Sequence, residues 1–176
     1  MFRTIFIAAL AALAAFLIYV ALQPASGTVT RSATLPASPS AIFPHINDLH
    51  KWQVWSPWAK IDPDAKTAFE GPTAGVGSVF TWDGNREVGQ GKMTIVESQP
   101  NDHVRIRLDF VKPFSGTSMA DLTLKPDGDK TNVTWSMTGE RPFLARIMCT
   151  IFGADKMVGG MFEKGLASLS EAAKAP

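Results

Sequence analysis

The sequence has few of the residue patterns that usually carry catalysis or nucleic-acid binding. Among 176 residues there is one cysteine, Cys149, which excludes an intrachain disulfide and a zinc site built from several cysteines. Lys and Arg number 17 against 16 Asp and Glu, and they form no basic cluster, so no nucleic-acid partner is expected. The 45% of hydrophobic residues indicates one ordinary folded domain with an appendage.

Motifs of common catalytic and cofactor sites are also missing. The sequence contains no G-x-S-x-G, no H-E-x-x-H and no phosphate-binding G-K-[ST]. Gly75-Val76-Gly77 leads into a predicted strand instead of a helix, which argues against dinucleotide binding. The three histidines, His45, His50 and His103, are too scattered for a metal site. We therefore expect no cofactor and no metal ion, and the sequence names no catalytic residue.

The first part of the chain is a long uncharged run, from Thr4 to Leu22. As a helix it would rise about 28 Å, close to the about 30 Å of a bilayer core. The run is longer than the apolar part of a secretory signal, and only Ala25-Ser26-Gly27 offers a cleavage site. A membrane anchor is thus preferred to a cleaved signal, with residues 1–27 forming the anchor and linker.

The positions of the basic residues give the anchor an orientation. Arg3 precedes the apolar run, and the next basic residue is Arg31. Because basic residues favour the cytoplasmic side, we expect a single-pass protein whose C-terminal domain, residues 28–176, lies outside the cytoplasm, in the periplasm.

The remaining sequence predicts an α+β domain. TVTRSATL reads as a strand, and Ser38 followed by Pro39 reads as the start of a short helix. A helical turn near Asp48–Trp52 is followed by a loop broken by Pro57 and Pro63. About six strands come next, with hairpin signals at Asp83-Gly84-Asn85 and at residues 126–129. Helical spacing after Gly139, interrupted at Gly153, predicts a long terminal helix.

This order of elements, together with several motifs, resembles the SRPBCC (START-like) superfamily and its polyketide cyclase/dehydrase group. The matching segments are SATLPASPSAIFPHINDLHKWQVWSPW, TWDGN, MTIVESQPNDHVRIRLDF, VTWSMTGE and DKMVGGMFEKGLASL. The resemblance implies a helix-grip fold, in which a curved antiparallel sheet wraps a long C-terminal helix. It also implies a cavity between sheet and helix for an apolar small molecule or lipid, but it does not choose among carriers, receptors and enzymes.

Alternation along one predicted strand separates the two faces of the sheet. Val104, Ile106, Leu108 and Phe110 alternate with Arg105, Arg107 and Asp109, so the apolar set should face inward and the charged set outward. An Arg107–Asp109 pair facing inward could instead orient a polar ligand. The inward pattern of the strands, the tryptophan series and the methionines of the terminal helix supply the candidate ligand-binding residues: Trp52, Trp55, Trp82, Met93, Ile95, Ile106, Leu108, Phe110, Trp135, Met137, Met157 and Met161.

Two features of this set have competing explanations. Trp52, Trp55 and Trp58 either form an aromatic wall at the cavity mouth or pack the short helices onto the sheet. Gly159 and Gly160 weaken a helix by about 1 kcal/mol each relative to alanine, which suggests a close approach of helix to sheet or room for a ligand. In both cases packing is the commoner explanation.

Three functions remain open from the sequence. The first is membrane-anchored, non-catalytic binding of an apolar molecule or lipid in the cavity. The second is an enzyme of the cyclase or dehydratase type, which would need a buried ionisable group with a perturbed pKa in that cavity. The third is an interaction module whose cavity is filled by its own side chains.

Overall fold

The computed structural model of the chain describes residues 1–174, except the side chains of residues 152 and 154. The last two residues of the predicted domain therefore lie outside the described part. The chain begins with helix α1 (Phe2–Ala21), which has a mean hydropathy of 2.5 and is long and apolar enough to cross a membrane. Within α1 the buried residue is Val20, near its C-terminal end.

Seven antiparallel strands form one sheet, with the order β1-β7-β6-β5-β4-β3-β2. This agrees with the predicted α+β class and with six strands after the short helices. The strands are β1 (Ser26–Leu35), β2 (Lys66–Glu70), β3 (Val79–Asp83), β4 (Gln90–Gln99), β5 (His103–Lys112), β6 (Gly116–Asp127) and β7 (Lys130–Glu140). The first strand pairs with the last, so the chain must return across the whole sheet before β1 gains its partner.

Two short helices lie between β1 and β2. Helix α2 (Pro39–Asn47) begins as predicted, because the Ser38 side chain accepts a hydrogen bond from the Ala41 amide and Pro39 occupies the first turn. Helix α3 (Leu49–Trp55) is capped by Asp48, which accepts from the His50 amide. This helix is longer than the single turn predicted, and it includes both Trp52 and Trp55. Trp58 follows in a turn.

Two helices end the chain, separated at Gly153. Helix α4 (Phe143–Phe152) and helix α5 (Ala154–Ala172) meet where Gly153 adopts a φ of +76°, a conformation that glycine tolerates best. The predicted interruption is therefore confirmed. Helix α5 packs along β1 and also contacts α2, α3 and α4, while α4 contacts the end of α1.

The predicted tight hairpin at Asp83-Gly84-Asn85 is wrong in detail. Strand β3 ends at Asp83 and β4 begins at Gln90, so a longer loop joins them, and its positive φ lies at Gly89. The Asn85 side chain accepts from the amides of Glu87 and Val88. This side-chain capping supports a wider loop in place of a two-residue turn.

Candidate functional site

The strand register places the apolar side chains on one face of the sheet. Ile106 pairs with Ile95 and Ala120, and Leu122 pairs with Trp135 and Val104. Directly paired residues in antiparallel strands project to the same side. The candidate strand residues therefore share the concave face that α2, α3 and α5 cover: Trp82, Met93, Ile95, Ile106, Leu108, Phe110, Trp135 and Met137.

The charged residues of β5 lie on the opposite, convex face. Arg105 donates to Asp121 at 2.7 Å and to Glu97 at 2.9 Å, and Arg107 donates to Asp109 at 2.9 Å. The hydrogen bond with Asp121 raises the pKa of Arg105. Because these groups pair with each other on the convex face, the alternative in which Arg107 and Asp109 line the cavity is wrong.

An aromatic cluster fills the concave face around Trp135 of β7. Its members are Trp52, Trp55, Trp58, Trp135 and Phe162, which we call the aromatic cluster. Trp135 lies at its centre: its ring stacks on Phe162 with centroids 4.1 Å apart and meets the other three tryptophans edge-on at 5.4 to 5.8 Å. Trp52 and Trp55 are buried. The tryptophan series is thus core packing, and the aromatic-wall interpretation of these residues is not supported.

Toward the end of the sheet at which β5 and β7 end, the concave face is less completely covered. Trp82, Leu108, Phe110 and Met137 are half-buried, and we call them the open apolar surface. Gly91 lies between the strands of Trp82 and Phe110; a Cβ there would approach the Trp82 ring to 2.6 Å. The glycine therefore lets the indole cross toward Phe110, which it meets edge-on at 6.1 Å.

The flank of α5 beside this surface carries a methionine. Gly165 lies against the Trp135 ring, and Met161, one helical turn earlier, shares the same side of the helix. Met161 is half-buried, whereas Met157 is half-exposed. Of the two candidate methionines on α5, the structure brings Met161 toward the concave face and leaves Met157 largely in solvent.

Two surface clefts lie elsewhere. One, of about 290 Å³, runs between β1 and α5 and includes Leu35, Leu166 and Ser170. The other, of about 330 Å³, lies where α1, β1 and α4 meet and includes Tyr19, Arg141 and Arg146. None of the twelve candidate residues lines either cleft. The first cleft does lie between the sheet and α5, but it is at the β1 edge and away from the candidate residues.

A charged side chain that the sequence did not single out ties α5 to the sheet. Arg31 of β1 projects under α5 and donates to Asp155 at 2.8 Å and to Glu163 at 2.6 Å. The hydrogen bond with Asp155 raises the pKa of Arg31 and lowers that of Asp155, so both stay charged. Arg31 therefore acts as a fixed ion-pair partner and not as a proton donor.

The paired glycines of α5 have two different explanations. A Cβ at Gly159 would collide with the guanidinium of Arg31, whereas a Cβ at Gly160 would meet nothing within 4 Å. Helical periodicity turns Gly160 away from Phe162, hence away from the sheet. Close approach to Arg31 thus accounts for Gly159, and Gly160 gives no support for space reserved for a ligand.

The cyclase-type alternative requires an ionisable group with a perturbed pKa, and the structure describes one such group outside the ion pairs. Burial, and then the charge of Lys51, lower the pKa of His45 on α2. Its Nδ1 is buried without a hydrogen-bond partner in the described part of the chain. The group is held neutral near pH 7, but its half-buried ring lies on α2, outside the open apolar surface.

The lowered pKa of His45 predicts a pH dependence of stability. The unfolded chain binds a proton near the ordinary histidine pKa of about 6.5, and the folded chain binds it only at lower pH. We expect the contribution of neutral His45 to the free energy of unfolding to be fully present above pH 6.5. This contribution should be lost as the pH falls through the pKa of His45 in the folded protein. Urea unfolding at pH 7 and below measures this, and His45→Gln should flatten the slope. Lys51→Gln should keep most of it, because burial is the larger cause; an unchanged slope in His45→Gln would contradict the assignment.

Similar proteins show which fold this is. The structure aligns with protein CV1439 of Chromobacterium violaceum over 85% of this chain and 98% of that one, at a TM-score of 0.61 and 14% identity. TTHA0849 of Thermus thermophilus aligns over 84% of this chain and 97% of that one, at a TM-score of 0.61 and 16% identity. Ginseng major latex-like protein 151 of Panax ginseng aligns over 86% of this chain and 100% of that one, at a TM-score of 0.56 and 12% identity. At these identities the likeness shows the helix-grip fold alone.

The sequence itself gives the family. No curated protein matches it significantly. A family model described as "Polyketide cyclase / dehydrase and lipid transport" matches residues 26–174, which is nearly the whole chain after α1 and its linker. With the sheet order, the terminal helix and this match in agreement, the chain belongs to the polyketide cyclase/dehydrase and lipid transport family.

Proposed function

We propose that the protein binds an apolar small molecule or lipid on the open apolar surface, beside α5. The observation that carries this proposal is the uneven covering of the concave face. The aromatic cluster fills the face around Trp135, while Trp82, Leu108, Phe110 and Met137 remain half-buried. Half-buried aromatic and aliphatic groups on a concave surface are typical of small-molecule sites.

The polar groups near this surface fit binding better than catalysis. Ser118 and Gly139 face each other on β6 and β7, and a Cβ at Gly139 would collide with the Ser118 hydroxyl. Trp135 carries a buried indole Nε1 with no hydrogen-bond partner among the described residues. This N–H lies inside the filled aromatic cluster and outside the open apolar surface, so it offers no polar group to a ligand bound there. The preferred ligand is therefore an apolar chain or ring.

Retention and displacement of a ligand test this proposal. Residues 26–176 contain the entire sheet and the hydrophobic core from Val29 to Leu169, so they suit the experiment. Native mass spectrometry should find a bound apolar molecule, and a fluorescent fatty acid should bind saturably. Met137→Trp fills the open apolar surface and should weaken binding of the probe by about tenfold, or about 1.4 kcal/mol.

The neighbouring residue provides a matched control. Thr138 is exposed on the convex side of the same strand, so Thr138→Trp should leave probe binding unchanged. Circular dichroism should show both variants folded. A domain that retains nothing and binds no probe would contradict the proposal.

A second function is favoured by the aromatic cluster. Five large rings occupy much of the space between the sheet and α5, which is the arrangement expected of an interaction module whose cavity is filled by its own side chains. That function predicts neither a retained ligand nor saturable probe binding. The same two measurements therefore decide between the two functions.

We also propose that α1 remains attached and spans a membrane, with residues 28–176 outside the cytoplasm. Its length and hydropathy fit an anchor, although a signal sequence would pass the same test. Two contacts favour the anchor. Val20 is fully buried, and Arg146 of α4 donates to the backbone oxygens of Ala21 and Gln23. The end of α1 is thus packed on the domain, which a removed signal would not need.

A further inference from the structure

Helix α4 has its apolar side turned outward. Phe143, Leu144, Met148 and Ile151 are 38 to 57% exposed, and we call them the α4 apolar face. Arg146 and Cys149 start from the other side of the helix and Thr150 from its flank, and all three are half-buried against the rest of the protein. The Arg146 guanidinium reaches back to lie 5.6 Å from the centroid of the Phe143 ring. A helix on the surface of a water-soluble domain shows the reverse arrangement, with its apolar side against the core.

The polar side of α4 is used within the protein. Arg146 donates at 3.0 Å to the Ala21 oxygen and at 3.2 Å to the Gln23 oxygen, and Thr150 donates to the Arg146 oxygen. The two bonds of Arg146 attach α4 to the C-terminal end of α1 and the linker that follows it. If α1 spans the membrane, α4 lies at the level where the chain leaves the bilayer.

The end of the sheet nearest to α1 carries two more exposed apolar residues. The starts of β1 and β6 and the ends of β5 and β7 lie together, as the pairs Ser26 with Glu140 and Phe110 with Gly116 show. The β5–β6 hairpin at this end of the sheet contains Val111 and Phe114, whose exposed fractions are 56% and 38%. The hairpin between β6 and β7, at the opposite end of the sheet, is charged and contains Asp127, Asp129 and Lys130.

From this arrangement we propose that the α4 apolar face inserts into the lipid interface beside α1, so that the open apolar surface is held close to the bilayer. The inference rests on the proposed membrane span of α1. Amphipathic helices bind in this way through an apolar side at the boundary of headgroups and acyl chains. Phe143 and Leu144 begin the helix, and α4 contains no acidic residue that insertion would have to desolvate.

A second copy of the chain fits the α4 apolar face less well than lipid does. Four partly exposed side chains offer on the order of 400 Å², about half of the 800 Å² that each partner of a standard protein interface buries. Helix α1, which packs against α4, also exposes apolar side chains, and its Ile18 and Tyr19 are more than half-exposed. Lipid can cover both surfaces at once.

Spin labels on the full chain in phosphatidylcholine nanodiscs test the proposal. In a Cys149→Ser background, labels at Leu144→Cys and Ile151→Cys should collide readily with oxygen and be shielded several-fold from a water-soluble nickel complex. Val76→Cys is the matched control, since Val76 is 58% exposed and Ile151 57%, and Val76 lies in the β2–β3 connection at the far edge. Its label should show the reverse pattern.

The outcomes separate this inference from the membrane span. A Leu13→Cys label shielded in lipid, together with an Ile151→Cys label as open to nickel as the Val76→Cys label, overturns the insertion of α4 and leaves the span intact. A Leu13→Cys label open to nickel overturns the span. Labels on α4 that are shielded from both oxygen and the nickel complex also overturn lipid insertion. In that case a short distance between labels on two copies of the chain would identify a dimer.

Discussion

Replacing Trp135 by alanine should lower the free energy of unfolding of residues 26–176 by about 3–5 kcal/mol. The indole is 2% exposed and contacts four other aromatic rings from α3, α5 and the turn after α3. Its removal leaves a cavity where these elements meet the sheet, and rings held by backbone on three sides cannot collapse to fill it. Urea unfolding followed by circular dichroism measures the loss.

Trp135→Phe is the informative companion to this change. Phenylalanine keeps much of the stacking on Phe162 but removes the unpaired Nε1, so we expect a loss well below that of alanine, about 1.5 kcal/mol or less. A loss of stability in Trp135→Ala below 1.5 kcal/mol would show that the aromatic cluster is not the central support of the domain.

Two glycines on α5 should respond to alanine with opposite signs. At Gly165 a Cβ would lie 2.7 Å from the Trp135 ring and 3.4 Å from Pro57, so Gly165→Ala should overpack this contact and destabilise the domain by about 1–3 kcal/mol. Gly160 faces away from the sheet with no atom within 4 Å of the added carbon. Gly160→Ala should therefore stabilise the helix by up to about 1 kcal/mol.

Thermal and urea unfolding of the two variants, made in the same domain, measure this difference directly. Both variants make the same substitution in the same helix and gain the same helix propensity. A difference in the sign of the stability change therefore comes from the atoms around each glycine. Equal effects at both positions would mean that α5 does not lie against Trp135 at Gly165, and the placement of the helix on the sheet would be wrong.

Local patterns were sufficient for much of the fold. Alternation from Val104 to Phe110 predicted which side chains of β5 face inward, because successive residues of a strand project to opposite sides. Ser38 and Pro39 predicted the start of α2, and Gly153 predicted the break before α5. Each of these signals acts within a few residues, so it can be recognised without knowledge of the partners.

Contacts between distant segments could not be predicted in the same way. The hairpin at Asp83 became a wider loop because the Asn85 side chain caps it. The ion pairs of Arg31 join residues 124 and 132 positions apart, and nothing near Arg31 in the sequence indicates acidic partners. Phe162, the stacking partner of Trp135, is not among the candidate residues taken from the sequence.

The sequence by itself determined the apolar segment at the N-terminus, the α+β order of elements, the inward and outward faces of the strands, and the family resemblance. The tertiary structure decided which half of the concave face is filled, why Gly159 has no side chain, and that α4 turns its apolar side outward. The physical reason is that burial depends on what covers a surface. Periodicity shows that a face is apolar, but only the packing of distant helices shows whether protein, ligand or lipid can cover it.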